Sequence, residues 1–229
     1  MTRVELFHFK GPKERQEDSF FILPPLPGIL SAIGVFDGVS STKNAYYAAL
    51  HAAVRAQTSI LRHSRETAES LLSKALAEAN EAVLNLRKRH TYSSLPEDER
   101  PAAVGIIAIL DEAHALHIGH AGDAGALLIT QDEIIPLTSP HTAPDGSVTR
   151  HFGQAPFEPE VSQGKLFKND ALWLMTDGAI NAHLTTSVID PAGVFATPMA
   201  DLFGDNATAI RLMLAEPKAA KQTVTYAKH

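Results

Sequence analysis

Two short apolar runs, far apart in the chain, each end in an Asp-Gly pair: Ile33-Gly34-Val35-Phe36-Asp37-Gly38 and Ala171-Leu172-Trp173-Leu174-Met175-Thr176-Asp177-Gly178. Runs that are brief, apolar on both faces and bounded by turn formers read as buried strands. Each strand therefore delivers a carboxylate to the lip of a core. The glycine that follows reads as a turn former, since Asp tolerates a turn and Gly supplies positive φ. Taken singly, each pair is an ordinary turn; taken together, two such carboxylates invite a divalent cation.

The 229 residues, 45% hydrophobic and 20% charged, have the composition of an ordinary globular domain and can bury one continuous core, so a single domain over 1–229 is expected. The formal charge of −6 spreads without a long basic block, which removes the attraction that drives nucleic-acid or anionic-membrane binding. The opening residues Met1 to Glu5 lack the basic and apolar regions of a secretory signal, and no apolar run approaches the roughly 18 residues that span a bilayer. A cytoplasmic protein is expected. With no cysteine, disulfides, thiolate zinc sites and a cysteine nucleophile are excluded. Catalysis must come from oxygen and nitrogen groups.

Along the chain, Val4 to Phe9, Ser19 to Leu23 and Ile29 to Phe36 read as strands in an antiparallel meander, separated by the charged loop Lys10 to Asp18 and by Pro24-Pro25 and Pro27-Gly28. Glu17 and Asp18 then lie at a strand start. Beyond Gly38, Ser41 or Thr42 is expected to cap a helix over 42–62, with Tyr46 or Tyr47, Leu50, Val54 and Leu61 as its apolar stripe. A second helix over 67–89 puts Leu72, Leu76, Ala79, Val83 and Leu86 on one stripe, and its charge order suits the helix dipole. A turn-rich connector, 91–101, leads into strands at Val104–Leu110, Ala115–His120, Ala126–Thr130 and Glu133–Leu137, with hairpin turns at Asp111-Glu112 and Gln131-Asp132. Asp123 sits in an acidic turn between the second and third of these. Residues 138–168 read as a long loop, a length that in a compact domain tends to carry function. After Asp177 the chain reads as irregular from Asn181 to Met199, with a helical turn near Met199 to Leu202. A last strand, Ala207 to Leu214, is followed by a polar tail from Glu216 to His229.

Glu17, Asp18, Asp37, Asp123, Asp177 and Asp205 thus form a set of acids at strand or hairpin boundaries. Oxygen-only ligation of this kind suits Mg²⁺ or Mn²⁺, and without a cation such a cluster repels itself and takes up protons. The histidines His114, His117, His120, His141 and His151 lack a His-x-x-x-His pair on a helix with an intervening Glu; at alternate strand positions they read equally well as surface residues, and a histidine metal site is not expected. Trp173 reads as core.

The order and context of these acids resemble the metal-dependent protein serine/threonine phosphatases of the type 2C group, the PPM family. Gly11 to Asp18 resembles the family's opening Gly-x-Arg-x-x-Asn-Glu-Asp motif, and Val35-Phe36-Asp37-Gly38 its Phe-Asp-Gly motif. Gly122-Asp123 resembles its Gly-Asp-Ser-Arg hairpin, Met175 to Gly178 its later Asp-Gly, and Asp205-Asn206-Ala207-Thr208 its closing Asp-Asn-x-Thr. The resemblance implies an α+β fold, a central β-sandwich of two antiparallel sheets flanked by antiparallel helix pairs. It implies two Mn²⁺ or Mg²⁺ ions, with Asp37 bridging them, Glu17 and the Gly38 carbonyl on one, Asp177 and Asp205 on the other. Asp123 with Asp177 would hold a third ion, and Asp18 would orient the attacking water. Two metals roughly 4 Å apart activate water for in-line attack on phosphorus without a phosphoenzyme. The implied substrate is a phosphorylated protein, the implied state a monomer.

Several positions depart from the motifs. Lys13 stands where the family has a phosphate-binding Arg, keeping the charge but losing the two-pronged grip; weaker substrate binding is expected. Gln16 replaces Asn, Val39 stands where some members carry a histidine acid, and Ser40-Ser41 replaces a Gly pair. Ala124-Gly125 replaces Ser-Arg, Ile106-Ile107 replaces a Thr pair, and the substrate-selecting flap is confined to part of 138–163. These departures keep open a rival reading, a phosphatase-like binding module with weakened or lost catalysis. A metal phosphoesterase acting on small molecules is a third.

Overall fold

The computed structural model describes residues 1–186 and 204–214. Ten strands form two five-stranded antiparallel sheets. One sheet is built from β2 (Ser19–Leu23), β3 (Ile29–Gly38), β4 (Ala103–Asp111), β5 (Ala115–Ala121) and β8 (Glu160–Lys165), in that spatial order. The other runs β1 (Thr2–Phe9), β10 (Ala207–Leu214), β9 (Ala171–Met175), β6 (Gly125–Ile129) and β7 (Ile134–Pro136). The three-strand meander at the start is therefore corrected. Strands β2 and β3 pair, but β1 crosses to the other sheet and lies along β10, with Thr2 opposite Leu214 and Phe9 opposite Ala207.

The sheets pack through Ile33 and Val35 of β3 and Ile106, Ala108 and Leu110 of β4, which meet Leu172 and Leu174 of β9 and Ile210 and Leu212 of β10. The other face of the first sheet is covered by two antiparallel helices, α1 (Ala45–Arg62) and α2 (Ala68–Arg87). Strands β3 and β4 thus bury both faces, which is why they read as continuous apolar runs. Against the outer face of the second sheet lies α4 (Asp177–Thr186), where Ala179 packs with Phe7, Trp173 and Met175. A one-turn helix α3 (His90–Ser93) and a 3₁₀ turn at Glu97–Glu99 occupy the connector before β4.

Helix α2 keeps the stripe expected of it, with Thr67 accepting a hydrogen bond from the Ser70 N–H as its cap. Helix α1 does not. Its N-cap is Asn44, in a left-handed conformation without a side-chain cap bond, while Thr42 Oγ1 turns back to donate to the Val39 carbonyl. The expected stripe also faces outward: Tyr47, Leu50, Val54 and Leu61 are 40 to 52% exposed. The buried face is Ala45, Ala48, Ala49, Ala52, Ala53, Ala56, Ser59 and Ile60. Small side chains allow close approach: a Cβ placed on Gly38 would lie 2.5 Å from the Ala45 carbonyl carbon.

Two further elements are additions to the sequence reading. Strand β8 lies inside the presumed loop, and α4 begins at Asp177 itself, in a segment read as irregular beyond Asn181. The expected helical turn near Met199 and the polar tail from Glu216 lie outside the described residues.

Candidate metal centre

The two Asp-Gly pairs are not turns. Asp37 and Gly38 are the last two residues of β3, paired with Val104 and Ala103, and Asp177-Gly178 opens α4. Neither glycine has positive φ. Each is required instead by contact: Gly38 by the start of α1, and Gly178 by the start of β10, where a Cβ would sit 1.9 Å from the Asn206 carbonyl oxygen. Glycine here lets a second element press against the residue beside a carboxylate.

That pressing brings the acids together. Asp37 has both Asp18 and Asp177 within hydrogen-bonding reach. Burial, followed by the charges of Asp18 and Asp177, pushes the Asp37 carboxyl well above its ordinary range. Asp18, just before β2, is 4% exposed, and burial pushes it up to about 7 despite hydrogen bonds that favour its charged form. Those bonds come from the Thr208 hydroxyl at 2.6 Å and the Thr176 hydroxyl at 3.1 Å, both to Oδ2. Burial and the Asp177 charge likewise raise Asp123, in the turn between β5 and β6.

At the rim, Lys13 Nζ lies 3.1 Å from Asp205 Oδ1, 3.7 Å from Glu17 Oε2 and 3.1 Å from Ser40 Oγ, which itself donates to Glu17. Burial works to lower its pKa, but Asp205, Glu17 and Asp37 outweigh that and raise it. Gly38 is tied to the same place, its N–H donating to the Glu17 carbonyl at 3.2 Å. Lys13, Glu17, Asp18, Asp37, Gly38, Asp123, Asp177 and Asp205 are therefore linked in one region.

Sequence reasoning missed the residues that hold the acids in place. Asn206 accepts from the Glu17 N–H at 2.8 Å and donates to the Lys10 and Arg15 carbonyls, fastening the 10–17 loop to the start of β10. Thr176 and Thr208 fix Asp18, and His8 Nδ1 lies 2.9 Å from Thr208 Oγ1. Since that hydroxyl donates to Asp18, the His8 Nδ1 must carry the proton. The signal was available: Thr176, Asn206 and Thr208 stand inside the motifs that flag Asp177 and Asp205.

The fit of divalent cations rests on the carboxylates themselves. Asp18 Oδ1 and Asp177 Oδ1 are buried without a hydrogen-bond donor among the described residues. Buried, unpaired carboxylate oxygens crowded together are costly unless protonated or ligated. An all-oxygen set of this kind suits a hard cation.

A second cluster corrects the reading of the histidines. His120, 1% exposed, and His141, 9% exposed, are buried rather than on the surface. Their rings stack at 4.4 Å, and with Glu160 they place three ligand-type atoms within 4.8 Å of one another. The hydrogen bonds argue for a strap instead of an ion site. The Gly122 N–H donates to His141 Nδ1 at 3.2 Å, so the proton is on Nε2, where it donates to Glu160 at 3.1 Å. Arg150 brings a guanidinium to 3.4 Å of the same nitrogen. With the His141 N–H also donating to the Gly122 carbonyl, the histidine grips the turn that carries Asp123.

The profile of the family described as Protein phosphatase 2C matches residues 3–147. No curated protein matches the chain. Among solved structures, the serine/threonine phosphatase Stp1 from Staphylococcus aureus superposes with a TM-score of 0.73 at 18% identity, covering 94% of this chain and 96% of that one. The PPM Ser-Thr phosphatase MsPP from Mycobacterium smegmatis, in complex with cacodylate, gives 0.71 at 18%, covering 93% and 98%. The catalytic domain of PstP, in complex with two manganese ions, gives 0.70 at 14%, covering 94% and 99%. At these identities the structures show a shared fold, and the profile match spans well over half of the 229 residues. The chain belongs to the protein phosphatase 2C family, the metal-dependent protein phosphatases.

Proposed function

We propose that the chain hydrolyses phosphoserine and phosphothreonine in proteins at the acid cluster around Asp37. The observation that carries this is Asp37 with both Asp18 and Asp177 in hydrogen-bonding reach of it, and with buried, unpartnered Oδ1 atoms on Asp18 and Asp177. In this reading Glu17, Asp37, the Gly38 carbonyl, Asp177 and Asp205 would hold two divalent cations, and Asp123 with Asp177 would hold a third. The PstP structure with manganese favours Mn²⁺ as the first ion to try, with Mg²⁺ as the alternative. Bound there, the cations supply the positive charge that makes water a nucleophile at neutral pH and neutralises the phosphoryl oxygens.

The protein's own groups do the rest. Asp18, its Oδ2 fixed by two threonine hydroxyls, leaves Oδ1 free to orient the attacking water and accept its proton. Lys13 brings a mobile positive charge to the rim, where it holds the phosphate as a point charge rather than a fork. With no cysteine in the chain, attack by water needs no thiol nucleophile. The whole chain acts as one catalytic domain; the proposal includes the cytoplasmic location and monomeric state expected from the sequence.

The test is phosphate release from a phosphothreonine peptide with Mn²⁺. Asp37→Asn and Asp177→Asn should each abolish turnover while circular dichroism stays unchanged, and Lys13→Ala should mainly raise KM. Wild-type protein that releases no phosphate from peptide or p-nitrophenyl phosphate would return the chain to the binding-module reading.

A further inference from the structure

A cavity of about 480 Å³ opens beside the acid cluster and shares Asp123 and Asp177 with it. That size is within the range of ligand pockets. Its walls are otherwise mainly apolar, formed by Leu127 of β6, Pro136 of β7, Met175 of β9 and Ile180 of α4. One lining residue stands out. Gly125, at the start of β6, stands where the family motif carries an Arg, and a Cβ there would already lie 2.9 Å from Ile180 Cδ1. Its φ is ordinary, so no backbone requirement explains the glycine. What its absent side chain provides is room for Ile180, which forms one wall of the cavity.

We propose that this cavity is a substrate-specificity pocket that receives an apolar side chain, Leu or Phe in type, from a residue within two positions of the phosphorylated one. The proposal rests on the phosphatase reading of the acid cluster. The occupant follows from continuity: anything seated between Asp123 or Asp177 and Ile180 is attached to, or next to, the group whose phosphate reaches those acids. In an extended peptide, residues two apart point to the same face, so the phosphoresidue and its second neighbour can enter the centre and the pocket together. An anionic side chain here would lose its hydration along the apolar walls and meet the Asp123 and Asp177 carboxylates at the inner end.

The experiment uses the full chain with Mn²⁺ and phosphothreonine peptides of one composition, carrying Leu, Phe, Gln or Glu at each of the two positions on either side. At one position kcat/KM should be about tenfold higher for Leu or Phe than for Gln, and lower still for Glu. Gly125→Leu, which pushes Ile180 into the cavity, should erase the preference while leaving p-nitrophenyl phosphate turnover within about twofold. Ile180→Ala, a milder change, should weaken the Leu preference and improve Phe relative to Leu. A flat peptide series, or a preference that survives Gly125→Leu, overturns the pocket while the phosphatase reading stands. Protein inactive on every peptide and on p-nitrophenyl phosphate overturns both.

Discussion

Asp18 shows how much of this site is set by surroundings rather than by residue type. Its carboxyl is raised from 3.8 to about 7, chiefly by burial. An acid whose pKa is higher in the folded state binds its proton more tightly there, so the proton favours folding. In the metal-free protein that contribution is fully present below about pH 4 and is lost as pH rises through about 7. Asp18→Asn removes the charge but can keep an acceptor for the threonine hydroxyls. Without metal, its melting temperature should therefore gain on wild type between pH 5 and pH 8, and saturating Mn²⁺ should narrow the gap at pH 8. The buried histidines His8 and His120, whose pKa values burial lowers, act in the opposite sense but are common to both proteins. A difference that is flat with pH would show that Asp18 ionises normally. At this scale the sequence displayed the acids but not their supports. A carboxylate at the end of an apolar run stands out in one dimension, whereas the bond from Thr208 to Asp18 joins residues 190 apart.

Helix α1 is where pattern and packing part company. It carries large apolar residues on a face other than its alanine face, so periodicity finds the stripe of large residues, while the close approach to β2 and β3 selects the alanines. The energetic ranking is therefore inverted. Ala49→Leu, at a fully buried position, should overpack the layer and cost about 1–3 kcal/mol. Leu50→Ala, at a position 45% exposed, should change stability by no more than about 0.5 kcal/mol. Urea unfolding of the two variants checks both. Strand β8 escaped notice for a related reason: it is an edge strand whose residues Glu160–Lys165 are almost all exposed, so it carries no alternation to read. The long strands β3 and β4 and helix α2 were legible because each buries large apolar residues against a neighbour.

Across the whole molecule, the acids come from the loop before β2, the end of β3, the β5–β6 turn, the start of α4 and the approach to β10, so cation binding joins both sheets. Binding to the folded state alone stabilises by about 2.7 kcal/mol at a hundredfold excess over Kd. Mn²⁺ should therefore raise the melting temperature of wild type, and Asp37→Asn should lose most of that rise, a readout independent of turnover. The sandwich order was expected from the family resemblance; the crossing of β1 to β10 was not, because strand pairing across the chain leaves no local mark.

That crossing bears on how the protein comes into being. Strand β1 is made before the rest of the sandwich and finds its partner only when residues 207–214 have followed. The same late segment brings Asp205, the Asn206 clasp on the 10–17 loop and the Thr208 hydroxyl on Asp18. Contacts between residues so distant in the chain form late and slowly. The helical layer on β2 to β5 can assemble during synthesis, but the metal centre cannot, and a nascent chain arrested before residue 205 holds its acids without the means to arrange them.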